Sequence, residues 1–194
     1  MNIGIYLYDN AEVLDFAGPF EVFSTASRMS ADQPFNAFLV SENDGPVRAR
    51  GGFTVLPSYY FANHPQVDVL IVVGGVHDQE MTKSEVLSWI SEQAAQASLV
   101  ASVCTGIFLL AAAGVVSDQK VTTHWEDVSD LRRCFPSLQV CEETRWVDSG
   151  AIVSSGGISA SIDMSLYLVA RLHSIQLATR TARQMEFDWV MPSS

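Results

Sequence analysis

Two kinds of apolar pattern alternate along the chain. Residues 67–75, VDVLIVVGG, and 99–104, LVASVC, are apolar almost throughout, as strands covered on both faces of a parallel sheet are. IGIYLYD at 3–9 and FNAFLVS at 35–41 are rich in β-branched and aromatic residues and are predicted as two more strands. GFTVLPSYYF holds a short extended piece that Pro57 stops. Between these runs the period lengthens. In SEVLSWISEQAAQA, 84–97, Val86 or Leu87, Ile90, Ala94 and Ala97 share a helical face, with Ser84 as cap. GPFEVFSTASRM starts on Gly18 and Pro19, suited to an N-cap and a first helical position. TGIFLLAAAG reads as a short buried helix closed by Gly114, and KVTTH, 120–124, as a strand leading into the helical WEDVSDLRRCF. RWVDSGAIVSSGG gives two short strands around Asp148-Ser149-Gly150. The helix ISASIDMSLYLVARLH, 158–173, follows, and then a last helix and tail.

Such alternation specifies an α/β fold, a three-layer sandwich with a mainly parallel central sheet and right-handed crossovers. No repeat, linker or low-complexity tract divides the 194 residues, so 1–194 is expected to be a single domain. In sheets of this kind ligands sit beyond the carboxyl ends of the strands. Asp15, Gly74-Gly75, Cys104 and His124 each follow a predicted strand, so four separate stretches are expected at one edge.

Composition narrows the function classes. The residues are 48% hydrophobic and 17% charged, as in ordinary globular proteins. A net charge of −11 opposes phosphate backbones and argues against direct nucleic-acid binding. The start, MNIGIYLYDNAEVLDF, lacks the marks of a signal peptide, and no apolar run is long enough to span a membrane. A cytoplasmic protein without membrane partners is expected. Cys104, Cys134 and Cys141 are read as reduced thiols. Neither they nor the four histidines show metal-ligand spacing, so no metal or nucleotide cofactor is expected.

Cys104 lies at a strand-to-helix turn. That position exposes a nucleophile, with the helix start favouring its thiolate, but a free cysteine is also a common core residue. Asp15, flanked by Val13, Leu14, Phe16 and Ala17, is either a desolvated carboxyl with raised pKa or a helix-start residue bonding backbone amides. Gly74 and Gly75 either turn tightly or aim amides, with that of Thr105, at a developing oxyanion. His124 either lines the site or is structural. Gly156-Gly157, before a helix, lacks the pattern of a phosphate loop.

Taken in order, LDFAGPFEVF, VDVLIVVGG, ASVCTG, KVTTHW and SSGGISASIDMSLYLV resemble the motifs of the ThiJ/PfpI superfamily over nearly the whole chain. That family is similar to flavodoxin-like and glutamine-amidotransferase-like folds with a cysteine nucleophile elbow. LDFAGP, SVCTG and TTHW are most similar to isonitrile hydratase and to the ligand domains of amidase-like AraC-type regulators. The resemblance implies Cys104 as nucleophile, Asp15 as its carboxyl partner, Gly75 and Thr105 as oxyanion amides and His124 beside the cysteine. It also implies a homodimer acting on a small molecule without a cofactor. Thr105 stands where protease-like members carry histidine, which points away from peptidase activity. The activity implied is hydration of an isonitrile to an N-substituted formamide through a Cys104 thioimidate. Alternatives are a glyoxalase-like or other hydrolase using Cys104 and His124, and a non-enzymatic ligand or redox sensor. The chain reaches ARQMEFDWVMPSS without a basic helix-turn-helix, so the sensor would lack its own DNA-binding domain.

Overall fold

In the computed structural model, which describes residues 1–189, the chain builds eleven strands and six helices. They are β1 (Asn2–Tyr6), α1 (Val13–Arg28), β2 (Asn36–Ser41), β3 (Val47–Arg48), β4 (Thr54–Val55), β5 (Tyr59–Tyr60), β6 (Val69–Val72), α2 (Ser84–Gln96), β7 (Leu99–Val103) and α3 (Gly106–Ala112). They continue with β8 (Lys120–Val121), α4 (Val128–Cys134), β9 (Gln139–Val140), β10 (Trp146–Asp148), β11 (Ile152–Ser155), α5 (Ala160–Leu172) and α6 (Ile175–Gln184). The end of the tail, 190–194, lies outside the described residues.

Seven strands form the central sheet in the order β10-β11-β7-β6-β1-β2-β5. Every pairing is parallel except that of β10 with β11. β6 and β7 are buried at every position and lie side by side near the middle, which is why their sequences carry no polar alternation. α1, α5 and α6 pack together as one helical layer, and α2 with α3 as another. The register pairs Tyr6 with Val72, Val72 with Ser102 and Val103 with Ser155. The carboxyl ends of β1, β6, β7 and β11 therefore finish level, and that edge carries the site.

α1 begins at Val13, five residues before the Gly18–Pro19 signal, and Pro19 lies inside it. Phe16, Pro19, Phe23 and Ala26 form one buried stripe. Fully burying a side chain such as Phe23 is worth about 1.5–3 kcal/mol, so packing carries the helix back through its proline. Gly18 serves contact instead: a Cβ there would lie 2.7 Å from Ser161 Oγ on α5. Ser84 is the first residue of α2, behind Lys83 at the N-cap, and caps nothing through its side chain.

The expected strand 120–124 stops at Val121 and pairs with β9 in a separate two-stranded sheet. Beyond it, side chains hold the backbone. The Thr122 amide donates to Ser154 Oγ at 2.8 Å, and the Thr122 and Thr123 hydroxyls donate to the carbonyls of Cys141 and Cys104, both at 2.9 Å. This carries His124 to the sheet edge. β3 and β4 make a short antiparallel pair, and β10 and β11 flank Asp148–Gly150, with Gly150 at φ 84°.

Candidate active site

Cys104 follows the last residue of β7 and has φ 55°, a left-handed conformation that a residue with a Cβ adopts only when its surroundings impose it. The surroundings here are explicit. Its amide donates to the Ser155 carbonyl at 3.1 Å, and its carbonyl accepts from Thr123 Oγ1. On its far side Gly106 brings α3 against β6: a Cβ at that glycine would lie 2.1 Å from the Val72 carbonyl oxygen. The turn is the elbow expected at this position, and the thiol at its tip is only 7% exposed.

Asp15, in the first turn of α1, is fully buried. It makes none of the helix-start bonds that a capping role requires; its oxygens reach other parts of the chain. Oδ2 accepts from the Gly74 amide at 3.2 Å and Oδ1 from the Ile158 amide at 3.1 Å. Burial pushes its pKa up to about 7, against the pull of those two amides and of the neighbouring Cys104 thiol. Burial likewise pushes the thiol pKa well up, and the Asp15 charge adds to it, while the Thr105 amide works the other way. Burial therefore prevails over the thiolate stabilisation expected from the helix start. Each group's charge disfavours ionisation of the other, so the thiol keeps its proton beside the buried carboxyl.

Gly74 and Gly75 lie at this edge in a different arrangement from the one expected. The Gly74 amide is committed to Asp15. The Gly75 amide donates to Thr105 Oγ1 at 3.0 Å, and the Thr105 hydroxyl donates back to the Gly75 carbonyl at 3.1 Å. Gly75 has φ 144°, and a Cβ there would lie 2.4 Å from the Asn10 carbonyl oxygen, so only glycine fits. Both glycines thus position Asp15 and Thr105.

His124 reaches the cleft from the end of the Thr122–Thr123 segment. Its Nδ1 is 3.5 Å from Asp127 Oδ2 and 3.8 Å from Glu126 Oε2, ion-pair distances if the ring is protonated. Gly157 separates this ring from the nucleophile: a Cβ added there would lie 2.3 Å from His124 Cδ2 and 3.1 Å from Cys104 Sγ. The cleft, about 270 Å³, is lined by Cys104, Thr105, Gly75, His124 and Ile158, with Glu12, Arg50, Val76, His77, Asp78, Glu126 and Asp127 around them.

Several of these residues carry no strong sequence signal. Ile158, at φ 55°, holds a β-branched residue in a strained conformation and so aims its amide at Asp15. The Gly156-Gly157 step was the available signal for it. His77, next but one to Gly75, has its ring 4.5 Å from that of Phe108. Arg50, paired with Glu12 at 3.2 Å, comes from a loop whose placement no local pattern encodes. Among the described residues no group of three or more His, Cys, Asp or Glu is placed to hold a metal ion, and no helix is long and apolar enough to cross a membrane.

Comparison with known proteins adds a family. The profile of the DJ-1/PfpI family matches residues 1–171. Isonitrile hydratase of Pseudomonas putida is 32% identical over 188 residues, covering 96% of this chain and 78% of that protein. The HTH-type transcriptional regulator GbdR of Pseudomonas aeruginosa is 29% identical over 187 residues, 96% of this chain and 51% of the regulator. This chain therefore spans about half the length of that relative. Among solved structures, a ThiJ/PfpI family protein from Pseudomonas syringae superposes with a TM-score of 0.86 at 26% identity, over 100% of this chain and 77% of that one.

Proposed function

Since the chain belongs to the DJ-1/PfpI family, we propose that it is a cysteine-dependent enzyme acting on a small molecule without a cofactor, and that its reaction is the hydration of an isonitrile to an N-substituted formamide. The observation that carries this reading is the Cys104–Asp15 pair: a thiol on a strained elbow beside a buried carboxyl whose pKa of about 7 suits proton exchange near neutrality.

The chemistry follows from where the proton lies. Cys104 waits as a thiol, and an ionised Asp15 is the neighbouring base. As the sulfur bonds to the terminal isonitrile carbon, Asp15 takes the thiol proton and passes it to that carbon, giving a thioimidate, R–N=CH–S–Cys104. Water then adds to the same carbon, the nitrogen is protonated, and the C–S bond breaks. The products are R–NH–CHO and the thiol, so one water is consumed and no electrons are exchanged. His124, turned toward Cys104 across Gly157, is the candidate to activate that water, and the Thr105 amide beside the sulfur remains the candidate donor to charge developing during the reaction.

Purified protein assayed by mass spectrometry with alkyl and aryl isonitriles should form the formamides. Cys104→Ser should abolish formation and Asp15→Asn should slow it by about 100-fold or more. Absence of turnover across the panel would remove the hydratase reading. A ligand sensor is the second reading, supported by the similarity to the regulator and by a buried thiol held protonated. It predicts a higher melting temperature with isonitriles or dicarbonyls and no product.

A further inference from the structure

We propose that a groove of about 640 Å³ beside the nucleophile cleft holds the substituent on the substrate nitrogen, a neutral aryl or branched alkyl group. The proposal rests on the hydratase reading and specifies its substrate class. An isonitrile presents only a linear two-atom group to the sulfur, so specificity must come from whatever that group is attached to. The cleft around Cys104 is small and lined mainly by polar and charged side chains, a poor place for an apolar substituent.

The groove is better suited. Its volume lies within the roughly 300–1,000 Å³ of small-ligand pockets, and its apolar walls are Trp125, Val128, Ile158 and Ala160. Trp125 is 76% exposed and Ile158 42% exposed, so two large apolar side chains stand at its walls without being buried by the fold. The groove and the cleft share His124 and Ile158 as lining residues. Between them Gly157 lines the groove while its Cα faces the His124 ring and Cys104 Sγ, with no room for even one added carbon. The direct way past this glycine is closed, so the reacting group reaches the sulfur along the rim of His124 and Ile158 that groove and cleft share, while its substituent stays in the groove. The charges around the groove favour a neutral occupant. Arg132 is paired with Glu142, and Arg145 with Asp163, so both of its guanidiniums are neutralised, and the Glu143 carboxylate on the same wall repels an anion.

Ser129 is exposed on α4 and lines the groove outside the reacting centre, so Ser129→Trp fills the groove without touching that centre. Turnover of methyl isonitrile and cyclohexyl isonitrile is compared in the wild type, Ser129→Trp and Trp125→Ala. The groove predicts that kcat/KM for cyclohexyl isonitrile falls about tenfold or more in both variants while that for methyl isonitrile stays within about twofold. Equal losses for the two substrates, or no loss for either, would overturn it. If neither isonitrile is turned over, the hydratase reading fails separately. The groove is then read by calorimetric titration with N-cyclohexylformamide: binding lost in Ser129→Trp upholds it, and equal binding or none in the wild type overturns it.

Discussion

Replacing Asp15 by asparagine should reverse its effect on stability between acid and alkaline pH. The carboxyl titrates near 7 in the folded protein and near 3.9 in an unfolded chain, a difference equivalent to about 4 kcal/mol. Between those two values the folded state binds the extra proton. Its contribution is fully present below about pH 4 and is lost as the pH rises through about 7. Asparagine does not titrate, so it avoids that loss, but it brings a different cost. The Gly74 and Ile158 amides both point at the carboxyl, and an amide side chain offers one acceptor and one donor, leaving one buried N–H facing a donor. That costs about 1–3 kcal/mol. Asp15→Asn should therefore be about 1–3 kcal/mol less stable than wild type near pH 4 and more stable by a similar amount near pH 8. Urea unfolding followed by circular dichroism reads this directly, since all other titrating groups are common to both proteins. With a slope of about 2 kcal/mol per molar urea, the difference in midpoints should swing by about 2 M. A difference that stays constant within about 1 kcal/mol across this range would show that Asp15 ionises normally and that the buried carboxyl has been misjudged.

The thiol gives a complementary test. Alkylation of Cys104 by iodoacetamide should keep accelerating through about pH 9 without a plateau, and Asp15→Asn should accelerate it at about pH 8 by removing the neighbouring charge; a plateau below about pH 8 would contradict a raised thiol pKa. Gly106→Ala should destabilise the protein by about 3 kcal/mol or more, read from urea midpoints, because its methyl group would meet the Val72 carbonyl rather than a flexible side chain. Gly157→Ala, pressing on His124 and Cys104 Sγ, should cut turnover by about tenfold or more with a smaller change in melting temperature; unchanged turnover would mean that the ring moves aside freely.

Much of the sheet was legible because its signal is local. VLIV is apolar at successive positions, and LVASV at all but Ser102, because both faces are covered, and the Asp148–Gly150 turn announced the antiparallel pair β10–β11. The start of α1 was not legible, because Gly18 and Pro19 resemble a helix start while Gly18 serves contact with Ser161 on α5. Lys120–His124 reads as one strand because the threonines favour that conformation, whereas Thr122 and Thr123 bond sideways to Cys141 and Cys104. At the site, Cys104, Asp15 and His124 each carried a signal in residue type and position. The partners of Asp15 did not, since backbone amides have no sequence identity and the turn at Ile158 depends on a conformation its side chain disfavours. The direction of the thiol shift was also hidden, because it depends on burial exceeding the pull of the adjacent amide.

The bonds of Asp15 also bear on when the protein acquires its chemistry. They reach 59 residues along the chain to Gly74 and 143 residues to Ile158. During synthesis α1, β6 and the elbow all emerge long before Ile158 does. Until that residue arrives, the carboxyl lacks one of its two amide partners. On the proposed function, the Cys104–Asp15 pair would therefore be among the last features completed. Long-range closure of this kind is slow compared with local structure, so appearance of Cys104-dependent turnover would time the docking of α5 onto the sheet more sharply than any gain in helical signal.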